Sequence, residues 1–271
     1  MGFDRKHARL AGLFLKVHFQ SQLEYRQAFI MRFVVQLISR SVELLGIWIL
    51  LNKFEHINGW TFYEIMFLFA MNLLSYGLAG VIFFGPMLDL ERLVRTGELD
   101  SLLIAPLNPL FHLVGRYFSS VFFGHILLGL LILGISLRHL DIALSLGQIL
   151  WFTVVVFGAA FLQGAIMLAA GTVSFWVVKS RALVNTVVHG VRSFIVYPIS
   201  IYDNWIQVVL TLILPFAFVS FFPAEYFLSK PESSIFPDFF QWGTPLVGLT
   251  LFLAAYRLWS HGIDGYQSTG S

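Results

Sequence analysis

Residues 62–84 read FYEIMFLFAMNLLSYGLAGVIFF, and this run decides the fold. Its only charge is Glu64, near the start. As a helix rising about 1.5 Å per residue, it is long enough to cross a hydrocarbon core of about 30 Å. Lipid offers the backbone no hydrogen bonds, so an unbroken apolar run of this length reads as a membrane-crossing helix. Gly85-Pro86 is expected to end it, because proline disfavours helix in the residue before it.

The same pattern recurs along the chain. Residues 29–51 form one further span, 110–137 contain another, and 144–178 exceed what one crossing needs. Residues 183–202 read as a fifth span broken by Pro198, and 244–260 as the last. Residues 205–228 are apolar but interrupted by Pro215 and Pro223. They read as a re-entrant pair of short helices, with Pro215, Phe216 and Pro223 shaping the turn. The expected fold is thus an all-α integral membrane protein with six transmembrane helices. Seven is the competing count.

Composition supports a bilayer environment. Hydrophobic residues make up 58% of 271 and charged residues 12%, against about 45–50% and about 25% in soluble domains. Mean hydropathy is +0.79. With no cysteine, disulfides and thiolate chemistry are excluded. A net charge of +2 without a basic run argues against a nucleic-acid partner. The eight histidines show no HExxH and no paired metal spacing, so neither a metal nor a catalytic residue is expected.

Charge placement sets an orientation. With six spans and the N-terminus inside, the inner segments hold Arg5, Lys6, Arg9, Lys16, Arg26, Arg92, Arg95, Lys179, Arg181 and Arg257. The outer loops hold only Lys53, Arg138 and Lys230. The positive-inside rule then places both termini in the cytoplasm. Trp60, Tyr202, Trp205, Tyr226 and Trp242 fall in the outer loops, where interfacial aromatics are expected. Before the first span, no apolar signal region is found. Leu10, Leu13, Phe14 and Val17 follow helical spacing, which suggests an amphipathic helix on the membrane surface, with a mobile basic tail as the competing reading.

The inner loop over residues 88–109 reads LDLERLVRTGELDSLLIAPLNP. Thr96 or Gly97 can open a helix there, with Glu98 and Asp100 at its positive end. Leu99, Leu102 and Leu103 share a face, and Pro106 limits the helix to about two turns. Such a leucine face suits a peg for another protein; equally, it suits a cover over the ends of neighbouring spans.

Polar residues also lie within the spans. Arg32, Gln36, Arg40 and Glu43 share one face of the first span. A charge facing lipid at mid-membrane costs at least about 2.5–3.5 kcal/mol, so this stripe should face protein or water. It could line a subunit interface or substrate path. It could also be structural, with Arg40 and Glu43 paired and Arg32 reaching the headgroups. Asn185, His189 and Arg192 make a similar face on the fifth span, and Arg116 begins the third. Ala160, Gly164, Ala165 and Gly171 on the fourth span favour close helix packing.

Several segments together resemble the type-2 ABC transporter permeases. These are Arg95-Thr-Gly-Glu-Leu-Asp100 with Leu102-Leu103 and Pro106-Leu-Asn-Pro109, then Tyr197-Pro-Ile-Ser-Ile-Tyr202, residues 215–224 and the closing residues 266–271. The resemblance implies a single permease domain with a connecting helix over 1–28 and spans one and two over 29–84. A coupling loop over 85–109 would follow, then spans three to five over 110–202. Residues 203–243 would be an external re-entrant region, and 244–271 the sixth span and tail. It further implies that Arg95, Gly97, Glu98, Leu99, Asp100, Leu102, Leu103 and Pro106 belong to a coupling helix that docks on an ATP-binding subunit. Two such subunits, a second permease copy or paralogue, membrane lipids and export of an amphiphile from a bacterial cytoplasmic membrane are the implied setting. Independently, none of Lys6, Lys16, Lys53, Lys179 and Lys230 follows glycine, so the chain has no Walker lysine. ATP and magnesium would bind in another chain. An ion-gradient-driven secondary transporter is the alternative, with Glu43 and Glu64 its candidate intramembrane acids.

Overall fold

In a computed structural model, residues 26–54, 56–177, 195–230 and 234–267 are described, together with Ala182, Asn185 and Thr186. The N-terminal amphipathic helix, His189, Arg192, Lys179, Arg181 and half of the expected fifth span lie outside the described residues. The chain is an all-α membrane protein. Its described helices are α1 (Arg26–Phe54), α2 (Phe62–Thr96), α3 (Glu98–Leu103), α4 (Pro109–Arg116), α5 (Phe123–His139), α6 (Leu146–Thr172), α7 (Asn204–Val208), α8 (Phe221–Phe227) and α9 (Thr244–Asp264). Among the described residues, five stretches are long and apolar enough to cross a membrane: Ile30–Lys53, Phe62–Thr96, Ser120–His139, Leu146–Phe175 and Thr244–Asp264. A sixth, bent candidate joins Asn204–Ile213 to Phe216–Phe227 at 78°.

The central element is α2. Almost all of its apolar stretch is buried, whereas almost none of α1's is. It starts at a capping box in which Glu64 accepts from the Thr61 amide at 2.8 Å and from the Thr61 hydroxyl at 2.9 Å. The expected end at Gly85-Pro86 is wrong: Pro86 lies inside the helix, which runs on to Thr96. Proline costs the helix one amide but keeps a helical φ, and in a membrane a neighbour can satisfy the groups it frees. Here the chain leading into the third span packs against that site. The Ser119 amide donates to the Val81 carbonyl at 3.0 Å. Gly85 leaves room for the Tyr117 carbonyl, which a Cβ there would strike.

One further boundary and one side chain differ from expectation. The third apolar stretch is divided: α4 ends at Arg116, and the crossing proper begins at Ser120. Asn108 caps α4 by accepting from the Phe111 amide at 3.1 Å, with Pro109 in the first turn where a missing amide is harmless. Trp60 is fully buried against Phe221, ring centroids 5.7 Å apart, and is no lipid-facing anchor. Burial of the aromatic-rich residues 216–227 under the 57–61 turn outweighs the interfacial preference. Trp205 and Trp242 remain exposed.

Helices α2, α5, α6 and α9 pack into one bundle. Glycines set the closest approaches. Gly171 of α6 faces Met87 of α2, whose Sδ would stand 2.6 Å from an added Cβ. Gly158 of α6 and Gly248 of α9 meet backbone to backbone: a Cβ on Gly158 would lie 2.6 Å from Pro245 Cα, and one on Gly248 would collide with the Gly158 carbonyl. Where lipid removes the hydrophobic drive between helices, such contacts supply dispersion and packing. Between α2 and α6 the buried Gln163 donates to Ser75 Oγ at 2.7 Å and to Asn72 Oδ1 at 3.4 Å.

The two ends of the bundle are distinct. At one end, α3 and α4 lie beside the last turns of α6 and α9; Phe175 packs on Trp259 at 5.3 Å there. At the other end, the starts of α2, α6 and α9 meet residues 199–227, where Asn58 donates to the Ser200 carbonyl at 2.7 Å. We expect Gly248→Val to destabilise the bundle by about 1–3 kcal/mol through overpacking. Gly46→Val, where a Cβ meets nothing within 4 Å, should be near neutral. Thermal unfolding of both variants in detergent checks this.

Candidate functional site

The loop helix α3 is built directly onto the end of α2. Gly97 terminates α2 in the left-handed region at φ 71° and serves as the N-cap of α3, so a single residue separates the two helices. A side chain with a Cβ would strain that turn, which is why Thr-Gly-Glu stands there. Leu99 and Leu102 are 1% exposed and join the core formed by Leu90, Leu93, Leu110 and Leu113. Leu103 is half-buried beside them. Of the two readings of this leucine face, the structure gives the cover over the span ends. What projects outward is a different edge: Arg95, Thr96, Glu98, Ser101, Pro106 and, most prominently, Ile104 at 84% exposure. Asp100 is half-buried.

Polar contacts pin α3 in place. Arg92 of α2 donates to Glu98 at 2.7 Å and to the Tyr117 hydroxyl at 3.3 Å. Asn108 donates to the Tyr256 hydroxyl of α9 at 3.0 Å. The C-terminal Tyr266 packs on Phe175, centroids 6.0 Å apart; burial pushes its phenol upward, and neighbouring Asp100 adds to the rise. The loop helix is therefore tied to α2, to α4 and to α9. Arg92, Ile104, Tyr117 and Tyr256 were not singled out as site residues by the sequence. Their pairing depends on contacts between helices distant in the chain, and no local spacing signals it.

Within the membrane stretch of α1, Arg40 donates to Glu43 at 2.6 Å and the pair is partly buried. Gln36 reaches across to α5, where its amide nitrogen lies 3.2 Å from His125 Nδ1. His125 itself is buried, stacked on Phe122 at 5.0 Å and edge-on to Tyr76 at 5.2 Å. Arg32 is exposed at the loop-helix end of α1. The structure thus divides the polar stripe into an internal ion pair, a tie to α5 and a peripheral charge. His125 was missed because it stands alone on an apolar span.

At the opposite end, Lys230 bridges to Glu64 at 2.8 Å and lies over the Trp60 ring at 4.9 Å. This clamp fastens the segment after α8 to the N-terminus of α2. Pro215 and Phe216 sit at the break between the bent helices, and Pro223 lies within the first turn of α8. No group of three or more His, Asp or Glu able to hold a metal is found among the described residues.

The Arg92 hydrogen bond holds the Glu98 carboxyl below its ordinary value of 4.5. A depressed acid stabilises the state that holds it above the unfolded pKa, and that contribution fades as pH falls through the lower, folded value. Anchoring of α3 should therefore be constant from neutral pH down to about 5 and weaken only in acid. In Glu98→Gln the acid-dependent part should vanish. The mobility of a nitroxide attached beforehand at Ser101→Cys, recorded by electron spin resonance across the pH range, reads both outcomes.

Residues 37–270 match the family model described as ABC-2 family transporter protein. Comparison with curated proteins and with solved structures finds no match. The match takes in every described helix from the latter part of α1 to the tail, including the loop helix fused to α2 and the bent pair. This chain belongs to the ABC-2 transporter family and is a multi-pass membrane subunit of an ABC transporter, associated with an ABC ATP-binding subunit.

Proposed function

We propose that the chain is the permease of an ATP-driven exporter, with α3 as the element through which the ATP-binding subunit moves the bundle. The observation that carries this reading is the rigid union of α3 with α2. The helix sits one glycine beyond a long central helix, its inner face locked by Leu99 and Leu102 and its outer edge, Glu98, Ser101, Ile104 and Pro106, left exposed. A helix of 35 residues is about 50 Å long, well beyond a hydrocarbon core of about 30 Å. Its last turns project past the bilayer. Force applied to the α3 edge then reaches mid-membrane along α2 and reaches α9 through Asn108 and Tyr256.

In this reading the loop-helix end faces the cytoplasm of a bacterial cell, both termini lie inside, and residues 203–243 form the outer re-entrant region. Two permease chains, identical or paralogous, and two ATP-binding subunits complete the transporter. ATP and magnesium bind in the latter. The substrate is an amphiphile, in keeping with a bundle whose surfaces are overwhelmingly apolar. A secondary transporter is disfavoured by the placement of its two candidate acids. Glu64 serves as a helix cap paired to Lys230, and Glu43 is paired to Arg40.

Ile104→Asp should leave the thermal midpoint of the permease unchanged and reduce permease-stimulated ATP turnover at least about tenfold, the loss from about 1.4 kcal/mol at the contact. Leu99→Asp should instead unfold or destabilise the permease itself, since it buries a charge. Full ATPase stimulation by a folded variant carrying both Ser101→Arg and Ile104→Asp would refute the proposed docking edge.

A further inference from the structure

At the end of the bundle remote from α3 lies a groove of about 640 Å³. One wall is the π-helical turn Val209–Ile213 and the break at Pro215; the other is the first two turns of α9. The π turn, closed by the Leu214 amide on the Val209 carbonyl at 2.8 Å, together with the 78° bend, holds the two walls apart. Phe218 and Phe240, stacked 5.6 Å apart, form the inner wall. Gly243 allows this closeness, since an added Cβ would lie 2.7 Å from the Phe218 ring.

The lining carries no charged residue. Its two side-chain hydroxyls belong to Thr250, which donates back to the carbonyls of Leu246 and Val247 at 2.9 and 3.0 Å, and to Thr211. The Thr211 hydroxyl is buried and meets no partner. A site this poor in polar groups does not hold ordered water, which needs two to four partners. Left empty, its walls would forfeit their dispersion contacts. The rims, Leu212, Ile213 and Leu246, are themselves exposed on the apolar surface of the bundle. The groove therefore opens sideways into lipid.

We propose that this groove is a binding site for one acyl chain of a phospholipid from the adjoining leaflet. The chain lies between the bent helix pair and α9, along the apolar walls made by Leu212, Phe218, Phe240 and Leu246. Occupancy would brace residues 209–215 against α9, beside the hydrogen bond that Thr244 of α9 donates to the Phe218 carbonyl at 2.8 Å. The site concerns a resident lipid and stands apart from the transport reading above.

The test uses the full chain in nanodiscs of phosphatidylethanolamine and phosphatidylglycerol, doped with a phosphatidylethanolamine that carries a diazirine along one acyl chain. After illumination, adducts are mapped by peptide mass spectrometry. Adducts should concentrate on the peptides around Thr211–Phe218 and Phe239–Leu251. Thr250→Trp, or Leu212→Trp from the other side of the groove, should cut that yield about tenfold. Leu131→Trp on exposed α5 should leave it unchanged. Labelling spread evenly over α1, α5 and α9, or groove labelling indifferent to both filling variants, would overturn the site.

Discussion

The continuity of α2 through Pro86 is the constraint on which the rest of the structure depends. A helix interrupted there would separate the membrane core from the loop helix by a flexible joint. The segment entering the third span packs beside this proline turn, next to the Ile82 carbonyl whose helical donor Pro86 removes. The Ser119 amide reaches the Val81 carbonyl, and Gly85 admits the Tyr117 carbonyl beside it. In water a broken helical hydrogen bond is replaced by solvent; in lipid it must be replaced by protein. The Gly-Pro pair is thus a seam where two spans join.

From that seam the mechanics of the bundle follow. One end of α2 is fixed by the Thr61–Glu64 cap and the Lys230 clamp, the other by Gly97 and the packed leucines of α3. Between them, Gln163 and the close contacts at Gly164 and Gly171 bind α6 to α2. Helix α6 in turn meets α9 through Gly158 and Gly248. Helix α1 is different: most of its surface is exposed, and it touches the bundle through Phe33 against Gly124, Gln36 against His125, and the buried Ile47 and Leu51. Among the described residues the bundle is therefore a four-helix unit with α1 as a more exposed neighbour.

Electrostatics follow the same division. The intramembrane charges of α1 neutralise each other as Arg40 and Glu43, which lowers the cost of holding them in lipid. Outside the membrane, Arg92 and Glu98 are both partly exposed, and their bond serves to orient the loop helix more than to stabilise the fold. Lys230 does comparable work at the opposite end, combining an ion pair with a cation–π contact over Trp60.

The sequence by itself determined the environment, the helical class and the approximate spans, because lipid imposes length and apolarity on each crossing and both are local properties. It also determined the two-turn loop helix, since Gly97, the acids after it and Pro106 act on their immediate neighbours. The Arg40–Glu43 pair was legible for the same reason, being three residues apart on one helix. Only the tertiary structure decided that Pro86 does not end α2, that Trp60 is buried and that Leu99 and Leu102 face inward. It alone found His125, Ile104 and the groove beside α9. Each of these depends on what a distant segment places against the residue. Helical periodicity gives the face on which a side chain lies; whether that face meets protein, lipid or water is settled by packing.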